Sequence, residues 1–156
     1  MLQVVIPGSE ELFLEHLVLD FNGTLACEGK LLPDVAGLLH GISDRLLLHV
    51  LTGDTYGRAE QELVGIPCRF TGLLSSGQGQ AKRAYVEQLG SGRVVCIGNG
   101  RNDALMLDSA GLAIAVIGPE GASSKTLLAA DMVTRDIYEA LALLSHPLRI
   151  TATLRE

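Results

Sequence analysis

Hydrophobic residues gather in short aliphatic runs, separated by longer stretches in which apolar positions recur every three or four residues. The runs are "EHLVLDF" (15–21), "LLLHVLTG" (46–53), "RVVCIG" (93–98) and "LAIAVIG" (112–118). Rich in β-branched and aliphatic side chains and bounded by turn residues, they predict strands. "PCRFTGLL" (67–74) is a less marked candidate between the second and third runs, and "DMVT" (131–134) adds a short sixth. Strands alternating with helical stretches are the pattern of a parallel sheet with crossover helices, an α/β layered fold.

Helices are expected over 33–43, which carries Pro33 in its first turn, over 56–64 before Gly65, and over 80–89 before Gly90. Further helices are expected over 102–110, 123–130 and 137–144. The first segment, "LQVVIPG" (2–8), is expected to pair at a sheet edge. The last, "RITATLRE" (149–156), alternates like a strand or an ordered tail. Either is a candidate for self-association into a homo-oligomer. No internal repeat, low-complexity tract or long linker divides the chain, so 1–156 reads as one domain.

Composition narrows the picture. With 156 residues and 47% hydrophobic side chains, one domain can bury most of its apolar surface. Aromatics are 4% and there is no Trp, so Leu, Val, Ile and Ala must build the core. The formal charge is -6 without a basic run, which argues against nucleic-acid and anionic-membrane partners and for a small molecule. The opening residues lack the basic start of a secretory signal, and no apolar run is long enough to span a bilayer, so a soluble, cytoplasmic protein is expected. Cys27, Cys68 and Cys96 form no C-x-x-C, and His16, His40, His49 and His146 show no metal-ligand spacing. Cys96 lies in an apolar run and is expected in the core, and the histidines are expected at the surface or as satisfied core residues.

In an open α/β sheet, ligands bind beyond the carboxyl ends of the strands. Asp20 ends the first strong run, Thr52 ends the second, and "GNGRND" (98–103) follows the third. Three polar clusters distant in sequence should therefore meet at one edge. "DFNGT" places a carboxylate before a glycine turn whose N–H groups can face an anion. "VLTGD" (50–54) adds a hydroxyl and a carboxylate, with Asp54 equally suited to capping the next helix. Two motifs are decoys. "GNGRND" has no third glycine for a dinucleotide loop, and "GASSKT" (121–126) lacks the glycine spacing of a nucleotide-binding loop.

Together these pieces resemble the haloacid dehalogenase superfamily of aspartyl-phosphate enzymes, and within it the phosphorylation domain of P-type ATPases in the form of a small soluble protein. "LTGDTYGRAEQEL" (51–63) is similar to the T-G-D segment, and "KRAYV" (82–86) to the family lysine and its valine. "GNGRNDALMLDSAGLAIAVIG" (98–118) is similar to the G-D-G-x-N-D hinge, and "AADMVT" (129–134) to the stretch that follows it. The resemblance implies a three-layer Rossmann-like fold, a mostly parallel sheet with helices on both faces. The ATPases' nucleotide-binding insertion is missing between the first two clusters. "ACEGKLL" (26–32) is left as a short flap, with no large cap.

What the resemblance implies for the site is a Mg²⁺-dependent phosphatase with Asp20 as nucleophile. Thr52, Gly53, Lys82 and Asn102 would hold the phosphoryl group. Mg²⁺ would be bound by Asp20, the Asn22 main-chain carbonyl, Asn99 and Asp103. Two residues depart from the family pattern. Asn22 stands at the general acid/base position and Asn99 where an aspartate is usual. An amide neither gives nor takes a proton at neutral pH, so a small phosphorylated substrate with a good leaving group is expected to react, an ordinary monoester slowly, and the phosphoenzyme to persist. Glu28 is an alternative proton source. The competing expectation is a non-catalytic protein that binds phosphate or a phosphorylated ligand.

Overall fold

A computed structural model of the chain describes residues 1–53 and 57–156. In chain order its elements are strands β1 (Leu2–Val4), β2 (Leu12–Leu14), β3 (His16–Asp20), β4 (Ala26–Cys27) and β5 (Lys30–Leu31), helix α1 (Val35–Ser43) and strand β6 (Leu47–Thr52). There follow α2 (Ala59–Glu62), β7 (Cys68–Gly72), α3 (Gln78–Leu89), β8 (Val94–Gly98), α4 (Ala104–Ser109) and β9 (Leu112–Val116). The chain continues through α5 (Ser124–Ala129), β10 (Met132–Thr134), α6 (Ile137–Ser145) and α7 (Leu148–Leu154).

Six strands form one sheet in the order β10-β9-β8-β3-β6-β7, every neighbouring pair parallel. The aliphatic runs are strands because each must cover both sheet faces, and successive side chains alternate between them. Leu17, Leu19, Leu48, Val50, Val95 and Ile97 pack on one side in a core shared with Val35 and Leu39 of α1 and with Ala140 and Leu144 of α6. Val18, Leu51, Cys96 and Ala113 point the other way, against Val86 of α3 and Met106 and Leu107 of α4. The result is three layers, helix, sheet and helix. β3 lies in the middle, so the residue at its carboxyl end emerges where both neighbouring strands also end.

The flap expected over 26–32 is the β4–β5 hairpin. Four expectations are corrected. The helix expected over 56–64 is reduced to Ala59–Glu62, since the chain turns at Leu63 and leaves through Gly65 at φ +83°; Tyr56 and Asp54 lie outside the described residues. The first segment does not join the main sheet: β1 pairs antiparallel with β2 in a separate ribbon, joining Leu2 to Leu14. The C-terminal segment is neither strand nor tail but helix α7, with Ile150 fully buried in the α1/α6 core. Its Thr151 hydroxyl donates to the Val5 carbonyl, so both chain ends buttress one another. The six-residue α4 is shorter than the expected 102–110 because Arg101–Asp103 forms a separate 3-10 turn. Among the described residues no helix is long and apolar enough to cross a membrane.

Candidate active site

Asp20 is the last residue of β3. With Leu17 and Leu19 fixed in one core, the period of two turns the Asp20 side chain toward the α3 layer. Lys82 lies in the first half of α3, one turn before Val86, and the same face that buries Val86 carries the Lys82 stem under the sheet edge. The ammonium is completely buried, and Asp20 is only 6% exposed. Lys82 Nζ donates to Asp20 Oδ1 at 2.5 Å and to Asp103 Oδ1 at 2.6 Å. Residues 62 and 21 positions apart thus form one buried carboxylate–ammonium–carboxylate bridge.

Asp103 is held from both ends. Its Oδ2 accepts the main-chain N–H groups of Asn99, at 3.0 Å, and Gly100, at 2.8 Å. The carboxylate crosses so close to Gly98 that a Cβ there would stand 2.6 Å from Asp103 Cγ, which accounts for the glycine ending β8. Asn99 is a clasp. Its Oδ1 accepts the Thr24 hydroxyl at 3.1 Å and its Nδ2 donates to the Gly121 carbonyl at 2.8 Å, tying the β3 loop to the β9–α5 loop. Gly23 lies directly under that amide at φ +82°, and a Cβ on it would come within 2.2 Å of Asn99 Nδ2.

The remaining expected residues surround this bridge. Asp20 is in register with Leu51, so the buried Thr52 at the end of β6 and the following Gly53 border the end of β3. Asn102 Nδ2 donates to Gln78 Oε1 at 2.8 Å. Asn22 has a buried side-chain oxygen with no hydrogen-bond partner among the described residues. Glu28 sits on the exposed flap, where its main-chain N–H donates to Glu120 Oε1 at 2.7 Å. Sequence reasoning passed over Thr24, Gln78, Glu120 and Gly121. Thr24, inside "DFNGT", and Gly121, the first residue of the discarded "GASSKT", belonged to quoted motifs; Gln78 at the start of α3 and Glu120 before α5 reach their partners through tertiary contacts that no local pattern encodes.

Burial above all, and then the charge of Asp103, push the Asp20 carboxyl up to about 7 against the pull of Lys82. Burial also works to lower the Lys82 pKa, but Asp20 and Asp103 outweigh it and hold the amine above its ordinary value, so it stays an ammonium. Two carboxylates face one ammonium in a site almost closed to solvent. The surplus negative charge and the orphaned Asn22 oxygen both suit an added cation. Among the described residues no three His, Cys, Asp or Glu side chains are grouped to hold one. The donors are instead one or two carboxylates with amide and main-chain oxygens, a set fitting the oxygen preference and retained waters of Mg²⁺.

The comparisons with known proteins agree with this architecture. 3-Deoxy-D-manno-octulosonate 8-phosphate phosphatase from Moraxella catarrhalis, solved with magnesium, phosphate and its sugar, superposes with a TM-score of 0.69 at 16% identity, over 89% of this chain and 90% of that one. A putative haloacid dehalogenase superfamily hydrolase from Legionella pneumophila gives 0.71 at 15%, over 90% and 87%. The catalytic domain of a CPx-ATPase gives 0.60 at 23%, over 73% of this chain and 45% of that one. The molecule therefore has the fold of the haloacid dehalogenase hydrolases. No protein-family model matches the chain. An uncharacterized protein of Methanocaldococcus jannaschii is 52% identical over 64 residues, which are 41% of this chain and 69% of that protein, and the chain belongs to the same family as that protein.

Proposed function

We propose that this chain is a Mg²⁺-dependent phosphohydrolase that takes a phosphoryl group onto Asp20. The observation that carries the reading is the Asp20–Lys82–Asp103 bridge at the carboxyl end of the central strand. A free Asp20 oxygen attacks phosphorus, the bond to the leaving oxygen breaks with its electron pair, and a phosphoaspartate results. Water then attacks that phosphorus, the bond from phosphorus to the Asp20 oxygen breaks, and inorganic phosphate leaves with the water's oxygen and protons, restoring the carboxylate. The mixed anhydride is reactive toward water, so one difficult displacement becomes two easier ones. Lys82 supplies fixed positive charge beside the nucleophile, and the Thr52 hydroxyl, the Gly53 N–H and the Asn102 amide are the neutral donors for phosphoryl oxygens. Asp103 anchors the ammonium and the 98–103 loop.

Asp20, the Asn22 main-chain carbonyl, Asn99 and Asp103 would hold Mg²⁺, whose charge offsets that of the transferring group. The Asn99 amide is neutral and already shared with Thr24 and Gly121, so Asp20 and Asp103 would be the anionic ligands and metal affinity would be weaker than with an aspartate at residue 99. The chemical class of substrate follows from Asn22. General acid or base assistance is worth about 10²- to 10⁴-fold, and its loss falls most heavily on alkyl phosphates. Acyl phosphates and phosphoanhydrides, whose leaving groups depart unprotonated, retain most of their rate. Two amides where the family pattern has acids favour a second reading, a protein that holds a phosphorylated ligand without turnover.

Intact-protein mass spectrometry after mixing with Mg²⁺ and acetyl phosphate tests the first reading. One phosphoryl adduct is expected on the native chain and none on Asp20→Asn. No adduct on the native chain, or hydrolysis that survives the substitution, would leave the binding reading in its place.

A further inference from the structure

We infer that Gln78 is a phosphate-binding residue of this site, an inference that rests on the phosphoaspartate reading above. Gln78 opens α3 one turn before Lys82, so the helix that delivers the ammonium also delivers this amide. Its orientation is fixed by its neighbours. Oε1 accepts the Asn102 Nδ2–H at 2.8 Å, which turns the NH₂ group the other way. That group lies over the α-carbon of Gly53, where an added Cβ would stand 2.2 Å from Gln78 Nε2. Gly53 is thus the residue whose lack of a side chain lets the amide reach the end of β6. Gln78 is half-buried, and the hydrogen bond it makes among the described residues is the one at Oε1, which leaves the Nε2 donors open to a ligand. A donor pinned at one end and aimed at the end of β6 is placed for a phosphoryl oxygen.

The position also answers a problem of charge. The bridge at Asp20 carries surplus negative charge, so a phosphate dianion needs donors that bring no carboxylate with them. A neutral amide held by a second neutral amide meets that need. The Gln78–Asn102 pair then joins the α3 end of the site to the 98–103 loop.

The test compares inorganic phosphate binding in Mg²⁺, by titration calorimetry, for the native chain, Gln78→Glu and Gln78→Met. Glutamate preserves an oxygen for Asn102 and replaces the donating NH₂ by an acceptor; methionine removes both polar ends at similar length. Loss of a hydrogen bond to a charged group corresponds to about a ten- to hundredfold weaker affinity. That loss is expected for both variants, and for Gln78→Glu it should persist in about 1 M salt, where long-range charge effects are screened. Native-like phosphate affinity in Gln78→Glu, or a loss that disappears at high salt, overturns the inference. If Gln78→Glu fails to fold, native affinity in Gln78→Met overturns it instead. A native chain that forms the Asp20 adduct while Gln78→Glu binds phosphate normally removes only Gln78 from the site. A native chain that forms no adduct and binds no phosphate removes the underlying reading as well.

Discussion

Lys82 is the residue on which the site's chemistry and its stability both turn. Its ammonium separates two carboxylates that would otherwise confront each other in a buried space. Breaking a buried ion pair by removing one partner costs about 3–5 kcal/mol, because uncompensated charge remains. Lys82→Met should therefore lower the free energy of unfolding in urea by that order, and adding Asp103→Asn to it should recover part of the loss. A native-like midpoint in Lys82→Met would show that the bridge is not a structural element. Gly23 makes a second prediction at this scale. A side chain there meets both a positive φ and the Asn99 amide, so Gly23→Ala should cost more than about 1 kcal/mol. The same change should loosen the Thr24–Asn99 contact, which amide exchange at 22–26 can follow.

Between elements, β3, β6 and α3 are joined on the α3 face by a chain of polar rings. His16 Nδ1 lies 3.1 Å from His49 Nε2, and His49 Nδ1 lies 2.9 Å from the Tyr85 hydroxyl. Of the histidines expected at the surface or as satisfied core residues, His49 is a satisfied buried one and His16 is half-buried beside it. Burial first, then His16 and Arg69, lower the His49 pKa from 6.5 to about 4, and burial lowers that of His16. A depressed folded-state pKa means the unfolded chain takes up the proton first as pH falls. The contribution of His49 is complete above pH 6.5 and is lost between there and about 4. It is on the order of 3 kcal/mol. His49→Gln should flatten the fall in stability across that interval in chemical denaturation; an unchanged slope would count against the ring pair. The single-turn α2 and the extra helix α7 belong to this scale too. Periodicity in 56–64 suggested a longer helix because it registers apolar spacing but not how soon the chain must turn toward β7. Alternation in "RITATLRE" suggested a strand, yet Ile150 and Leu154 are also one helical turn apart, and that spacing won.

For the whole molecule, the parallel sheet and its two cores were legible because each aliphatic run had to be buried on both sides. The convergence of Asp20, Thr52 and the 98–103 loop followed from their common position at strand ends. The terminal supports were not legible in the same way. β1, β2 and α7 stabilise each other only after the chain ends have met, and Ile150 is completely buried in the core they share with α1 and α6. Ile150→Ala should therefore destabilise the domain by about 2–5 kcal/mol, read from a thermal or urea transition, although it lies six residues from the C-terminus. A surface-like change below about 0.5 kcal/mol would contradict the packing of α7.

The sequence by itself determined the strands, most of the helices and the order of the polar clusters, since periodicity and turn residues act over a few positions. It also placed amides, Asn22 and Asn99, at the two positions where the resemblance implies acids. Only the tertiary structure decided that Lys82 bridges Asp20 and Asp103, that Asn99 clasps Thr24 and Gly121, and that Gln78 covers Gly53. Those contacts join residues far apart along the chain, and they are selected because polar and charged groups buried together must satisfy one another, a condition no local stretch of residues contains.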